Sequence, residues 1–453
     1  MIDSHAFRTT ALLTLLLGLF VLGSALPAEE PHSAWRSLAE PGQATDWPQW
    51  RGPAGDGTSQ QTDLPTEWGP TQNIHWKREL EGWGDSTPVV QGDTIYVTAQ
   101  TDEGGLRLYL LDRASGNMRK QVDFGPAETP REAAKRSTQK FHRLHNLASP
   151  SPVAWEDGVV VHYGNGLLAC LNRDGEELWK RNLQEEYGAY SIWWGHANSP
   201  VIFEDLVISV CMQDPLDDVR DEAVESYLVA HDLKSGELRW KSSRMTGAPA
   251  EQADAYTTPI FVTNGKQVQM LVMGGNQLDA YDPQTGKQLW YLPGLEGGRT
   301  VTGPVTGEGM VFTTRGMRGP LLGIELGAHQ GEVSAKAIRW EVDRGTPDTP
   351  SPVLAGGLLF TVTDDGIAHC YDAKSGELHW RERLGGNFKA SPIAADGHIY
   401  FMSTDSKCHV VQVADTFERV AENELRDETL SSIAITGNQL LIRGKQAIYC
   451  VGE

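Results

Sequence analysis

The sequence predicts an all-β protein: an eight-bladed β-propeller of four-stranded antiparallel blades, its ring closed by an N-terminal strand. Three observations carry this. A unit repeats along the chain, each unit breaks into short apolar runs bounded by turn residues, and the two ends of the repeat region are complementary fragments of one unit. A period of about 40–60 residues means an array of small sheets rather than one continuous core.

Each unit opens on a Ser/Thr-Pro-Val step, as at Thr87-Pro88-Val89, Ser151-Pro152-Val153, Ser199-Pro200-Val201 and Ser351-Pro352-Val353. Thr258-Pro259-Ile260, Gly303-Pro304-Val305 and Ser391-Pro392-Ile393 are variants, and Ser431-Ser432-Ile433 is a degenerate eighth. Seven blades is the rival count. A Gly-bounded apolar run follows each opener, and its alternation reads as a strand.

The next strand ends in Asp or Asn, at Asp112, Asn172, Asp232, Asp282 and Asp372, with Gly four residues on in most copies. Such an Asp can accept from the backbone two residues on, and Gly supplies the positive φ of a tight hairpin. The following Leu-x-Trp then forms the outermost strand, with Trp179, Trp240, Trp290, Trp340 and Trp380 expected between neighbouring sheets. Turn residues recur too often for helices outside the leader and the stretch Arg131 to His145. Short strands in radial repetition are the hallmark of a propeller, which leaves only protected edges.

The last unit stops at Ala447 to Val451 with no fourth strand, while Asn73 to Lys77 resembles a fourth strand with no unit before it. The strand around Trp76 is therefore expected to complete the last blade, removing an open edge.

Three regions result: a signal peptide at 1–25, an arm at 26–72 and the propeller at 73–453. Arg8, the apolar stretch Ala11 to Leu22 and the small residues Gly23-Ser24-Ala25 have the form of a secretory signal, too short for a comfortable membrane span. An uncleaved anchor is the alternative. Export to the periplasm or cell envelope is expected, with no transmembrane segment in the mature chain. The net charge of −21 and the lack of a basic cluster argue against nucleic acid as a partner. The expected state is a monomer.

Cys170, Cys370 and Cys450 share one strand register, so these and Cys211 and Cys408 read as buried free thiols. The arm phrase Asp46 to Gly57, with Trp47 and Trp50 beside Pro48 and Pro53, reads as pinned to the ring. Two insertions, Phe124 to Asn146 and the acidic Cys211 to Ser226, read most plainly as solvated loops, with partner binding the alternative.

From Asp46 onward, the openers, the Asp-x-x-x-Gly-x-x-x-Trp closers and the phrase WPQWRGP at Trp47 to Pro53 resemble the exported PQQ-like, or quinoprotein alcohol dehydrogenase-like, propeller family. That resemblance implies a cofactor, PQQ, held between a Trp and a disulfide of adjacent cysteines, with Ca²⁺ on Glu, Asn and Asp. This chain has no adjacent cysteines and no Cys-x-x-Cys-His, so PQQ is not supported by ligand residues. No metal-site or nucleophile motif is present, and His142 with His145 is too small a set for a metal.

The central channel remains. Side chains just before each opener converge on one end of the axis: Asp85, Asn146, His196, Asn198, Tyr256, Arg299, Thr302, Asp348, Lys389 and Thr429. Convergent polar groups at a concave site form the candidate ligand site, against the plainer reading of a wet channel. Trp193-Trp194 and Trp83 lie at the same end and are expected to plug it. The expected function is a non-catalytic exported scaffold that binds an envelope protein, glycan or small ligand through the channel mouth and loops. The alternative is a PQQ-dependent oxidoreductase with an incomplete cofactor site.

Overall fold

The computed structural model describes residues 36–37, 45–126 and 141–452. The expected leader, most of the arm before Thr45, and residues 127–140 lie outside these. Eight sheets follow one another along the chain. Blades I to VIII have their inner strands at Val89–Gln91, Val153–Trp155, Val201–Phe203, Ile260–Thr263, Val305–Gly307, Val353–Ala355, Ile393–Ala395 and Ala434–Thr436. Every inner strand starts at or within a few residues of the predicted opener.

The ring closes as the terminal fragments require. Ile74–Glu79 pairs antiparallel with Ala447–Val451, Trp76 facing Cys450 and Lys77 facing Tyr449. The first and last described parts of the propeller thus share blade VIII, and the outer edge of its strand Ala447–Val451 is covered rather than left open.

Two repeated devices join the blades. At the rim, a closing Trp docks its indole on the next blade: Trp76 Nε1 donates to Arg113 O at 3.2 Å, Trp179 to Leu233 O at 3.0 Å and Trp340 to Ala373 O at 2.9 Å. Beneath each ring lies the glycine of the neighbour's turn. A Cβ on Gly286 would meet Trp240 Cε3 at 2.4 Å, and the same conflict arises at Gly116, Gly236 and Gly376. The turn Asp organises this approach, for Asp232 Oδ1 accepts from the backbone of Lys234 and Ser235, and Asp372 Oδ1 from Lys374 and Ser375. Trp240 and Trp340 are half-buried rather than enclosed. Blade V lacks the Asp-to-Gly turn, so Trp290 turns instead to Gln269 Oε1 at 2.9 Å in its own blade.

Near the axis the opener hydroxyls form a belt. The amide of Thr87 donates to Ser151 Oγ at 3.0 Å, that of Ser151 to Ser199 Oγ at 2.9 Å, and that of Ser199 to Thr258 Oγ1 at 3.2 Å. On the other side Gly303 donates to Ser351, Ser351 to Ser391 and Ser391 to Ser432. A small hydroxyl is needed here because it satisfies a backbone N–H that the crowded axis hides from water. The belt is interrupted at Gly303, where Trp50 packs instead.

Two elements differ from expectation. Phe141 to His145, the described end of the expected helix, is a turn, and a one-turn helix at Leu183–Tyr187 is capped by Asn182 Oδ1. All five cysteines are buried and unpaired. No helix of the described residues is long and apolar enough to cross a membrane.

Candidate functional site at the channel mouth

The arm determines which end of the channel is open. Trp47 bridges Val90 of blade I, and Pro48 O accepts from Ala154 N of blade II at 2.7 Å. A few residues later Trp50 lies against Gly303 of blade V, and Arg51 Nη2 donates to Pro352 O of blade VI at 2.5 Å. Thr58 then bridges Ala394 of blade VII. A segment that passes from blades I and II to blades V and VI within four residues crosses the bore. Asp46 fixes its start, accepting from Gln91 Nε2 and Gly92 N.

Above that stopper lies a funnel of about 890 Å³, continuous through shared lining residues with a smaller recess of about 260 Å³. Its size falls in the usual range of ligand pockets, about 300–1,000 Å³. The funnel has two faces. Leu144, Trp194, Ala197, Tyr256 and Val301 form an apolar side, and Asp364, Asp365, Lys389, Asp405, Arg443 and Lys445 a charged one.

Of the residues expected here, Asp85, Tyr256, Arg299, Lys389 and Thr429 line the funnel. Asn146, His196, Asn198, Thr302 and Asp348 stand behind that wall. Asn146 Nδ2 donates to Trp83 O at 2.9 Å, and Asn198 Nδ2 to Ala255 O and Thr257 O. His196 pairs with Val210 O at 3.1 Å, and Thr302 Oγ1 donates to Asp348 O at 3.1 Å. These are buried polar groups satisfying the backbone. Asp348 holds Arg299 Nη2 at 2.9 Å and so positions a lining cation.

Ionisation in the funnel follows its surroundings. Burial pushes Asp85 up to about 7, against the hydrogen bond from Ser149 and the charge of Arg443. Burial lowers Arg443 to about 10. Burial also opposes ionisation of Asp364, yet the Lys389 ammonium at 2.6 Å outweighs it and holds that carboxyl below its usual value. Asp85 is thus a funnel carboxyl whose charge changes near neutral pH.

The aromatic residues do not plug the bore. Trp194 is part of the wall, its Nε1 donating to Glu251 Oε1 at 2.6 Å, while Trp193 Nε1 donates to Asp214 Oδ2 at 2.8 Å. The stopper is Trp50, from the arm. Nor is the acidic insertion wholly solvated: Asp214 is fully buried, and its amide donates to Asp254 Oδ1. Among the described residues no group of three or more His, Cys, Asp or Glu is placed to hold a metal.

Reading only the residues before each opener missed half the mouth. The turns joining second and third strands return to the same end, bringing Thr363 to Asp365, Thr404 and Asp405, and Arg443 to Lys445. Their signal is a polar turn in fixed register, closed by Thr363 on Ile367 and Ser403 on Lys407.

Comparison with known proteins places this geometry. A family described as outer membrane protein assembly factor BamB matches residues 66–213, 106–332 and 327–421. The chain is 32% identical over 161 residues to the lanthanide-dependent methanol dehydrogenase of Methylacidiphilum fumariolicum strain SolV, a match spanning 30% of this chain and 23% of that enzyme. Among solved structures, BamB from Moraxella catarrhalis is similar with TM-score 0.56 and 12% identity, covering 84% of this chain and 97% of that one. Quinohemoprotein alcohol dehydrogenase from Comamonas testosteroni gives TM-score 0.63 at 13% identity, covering 90% and 81%. A europium-containing methanol dehydrogenase gives 0.63 at 13%, covering 88% and 89%. At these identities the structures show a shared fold.

Proposed function

The chain belongs to the PQQ-like propeller family described as outer membrane protein assembly factor BamB, and from that premise we propose that it is an exported, non-catalytic scaffold of the cell envelope. It binds a partner, protein or glycan, at the funnel and the loops around it. The observation that carries this reading is the blind funnel itself. One end of the bore is occupied by the chain's own arm, and the other presents a mouth with an apolar and a charged face, the mixture that fixes a ligand's orientation.

A second reading, a quinone-dependent oxidoreductase, is favoured by the likeness to methanol and alcohol dehydrogenases. PQQ supplies redox chemistry when bound, and the resemblance implies a cap of adjacent cysteines above it. The residues present do not fit that cap: Cys170, Cys211, Cys370, Cys408 and Cys450 are buried, and none lines the funnel.

Photo-crosslinking residues placed at Leu430 and Leu144 on the funnel, and at Leu238 on an outer strand, test the first reading in intact cells. Discrete adducts from the funnel positions and none from Leu238 support it; the reverse pattern removes it. Stoichiometric PQQ binding with dye reduction by alcohols would instead establish the second.

A further inference from the structure

We propose that the funnel takes the end of a neutral oligosaccharide, held through its hydroxyl groups, an inference that rests on the funnel being the partner site. The lining ions are already matched to one another. Lys389 Nζ donates to Asp364 Oδ1 at 2.6 Å, Arg299 Nη2 to Asp348 Oδ2 at 2.9 Å, and Lys445 Nζ lies 3.9 Å from Glu428 Oε2. Arg443 has Asp427 and Asp85 as counter-charges. Six of the funnel-lining residues are Lys or Arg and five are Asp or Glu, whereas the whole chain has 39 and 60. A site so balanced has no excess of either sign to draw in an ionic ligand.

A charged ligand would take one member of a pair and strand the other, which costs more than the new contact returns when the pair is partly buried. A hydroxyl both donates and accepts, so it joins such a pair without breaking it. The groups needed for this are within reach. Asp365 and Asp405 occupy equivalent turn positions in blades VI and VII, and both are exposed in the funnel wall. Each spends Oδ1 on its own turn, accepting from Thr363 Oγ1 at 2.6 Å and from Ser403 Oγ at 2.5 Å, and among the described residues Oδ2 has no partner. Lys389, with 29% of its side chain exposed, gives two of its three N–H bonds to Asp364 and Thr349 and keeps the third.

The apolar wall supplies the other half of the recognition. Trp194 lines the recess with Leu144 and Val301, and its Nε1 is spent on Glu251, so the indole offers the cavity ring carbons alone. A sugar ring carries C–H groups on its faces and hydroxyls around its edge, which an aromatic wall opposite a hydrogen-bonding wall matches. The arm makes the cavity blind, and a blind cavity admits the end of a linear chain more readily than its middle. A neutral saccharide end meets all three conditions.

The test is isothermal titration calorimetry of the whole chain with the neutral hexasaccharides of α-1,4-glucose, β-1,4-glucose, β-1,4-mannose and β-1,4-xylose, beside hexagalacturonate and hexaglucosamine as acidic and basic counterparts. At least one neutral hexasaccharide is expected to bind, at least about tenfold more tightly than either charged one. The double variant Asp365→Asn with Asp405→Asn keeps the turn acceptors and replaces the oxygens facing the funnel, and is expected to weaken that binding at least about tenfold. No binding of any neutral hexasaccharide, a preference for a charged one, or neutral binding unmoved by the double variant overturns the proposal. If the double variant does not fold, Lys389→Met takes its place, and the ratio of neutral to charged binding in the unaltered chain decides independently of both. Absence of saccharide binding with funnel crosslinks to a protein retained sinks this inference and leaves the scaffold reading; absence of both sinks the two together.

Discussion

Gly286 shows how one residue type is dictated by its neighbour. Its φ of +68° and the Trp240 ring at 2.4 Å from a would-be Cβ exclude any side chain. Gly286→Ala is expected to lower unfolding stability by about 1–3 kcal/mol, read from the urea midpoint, with Gly92→Ala, whose Cβ meets nothing within 4 Å, losing less. The buried histidines give a second prediction. Burial lowers His196 and His231 to about 4, and it holds His162 well below the usual histidine range. Between about pH 6.5 and 4 the unfolded chain takes up protons that the folded chain refuses, so stability falls as pH drops through that window. Asp85 acts in the opposite sense, since its folded value of about 7 lies above the unfolded value near 3.8, and stability from it is lost as pH rises through 7. Urea midpoints between pH 4 and 8 should fall on the acid side, less steeply in His196→Phe. In Asp85→Asn this contribution, which is lost as pH rises from about 4 to 7, should be absent, so the midpoint falls more steeply on the acid side.

At the scale of elements, the arm and the belt have separable tasks. Ser391 accepts from Ser351 N and its own amide donates to Ser432, so Ser391→Ala leaves a buried N–H idle. A loss of about 1–2 kcal/mol is expected in urea unfolding, with the fold unchanged. Trp50 does not take part in the blades' own hydrogen bonding but stands in the bore where Gly303 interrupts the belt. Trp50→Ala should therefore open a path through the channel, detectable as faster hydrogen exchange at the inner-strand amides, while the sheets' own exchange protection stays. Unchanged exchange at Gly303 and Ser351 would show that the arm is not the stopper.

For the molecule as a whole, legibility in the sequence tracked how local the cause was. Openers, turn Asp residues and closing tryptophans act within one blade or on its neighbour, so their repetition revealed blade count, strand order and the closing role of Trp76. The arm's path was not legible because Trp50 and Arg51 meet partners some 250 to 300 residues away, on blades V and VI. Asp214 looked like one more acid in an acidic loop, and only Trp193 and Asp254, distant in sequence, show it to be buried. The mouth was half legible for the same reason: pre-opener residues share a register, but whether one faces the funnel, as Lys389 does, or supports the wall, as Asn198 does, depends on the neighbouring blade. Funnel, stopper and belt all presuppose that the chain's ends meet in blade VIII. Replacing Lys77 and Tyr449, cross-strand partners in that blade, by cysteines and oxidising tests this directly. Closure predicts rapid disulfide formation at full yield, with native fluorescence kept and a raised unfolding midpoint; failure to cross-link in the folded chain would contradict it.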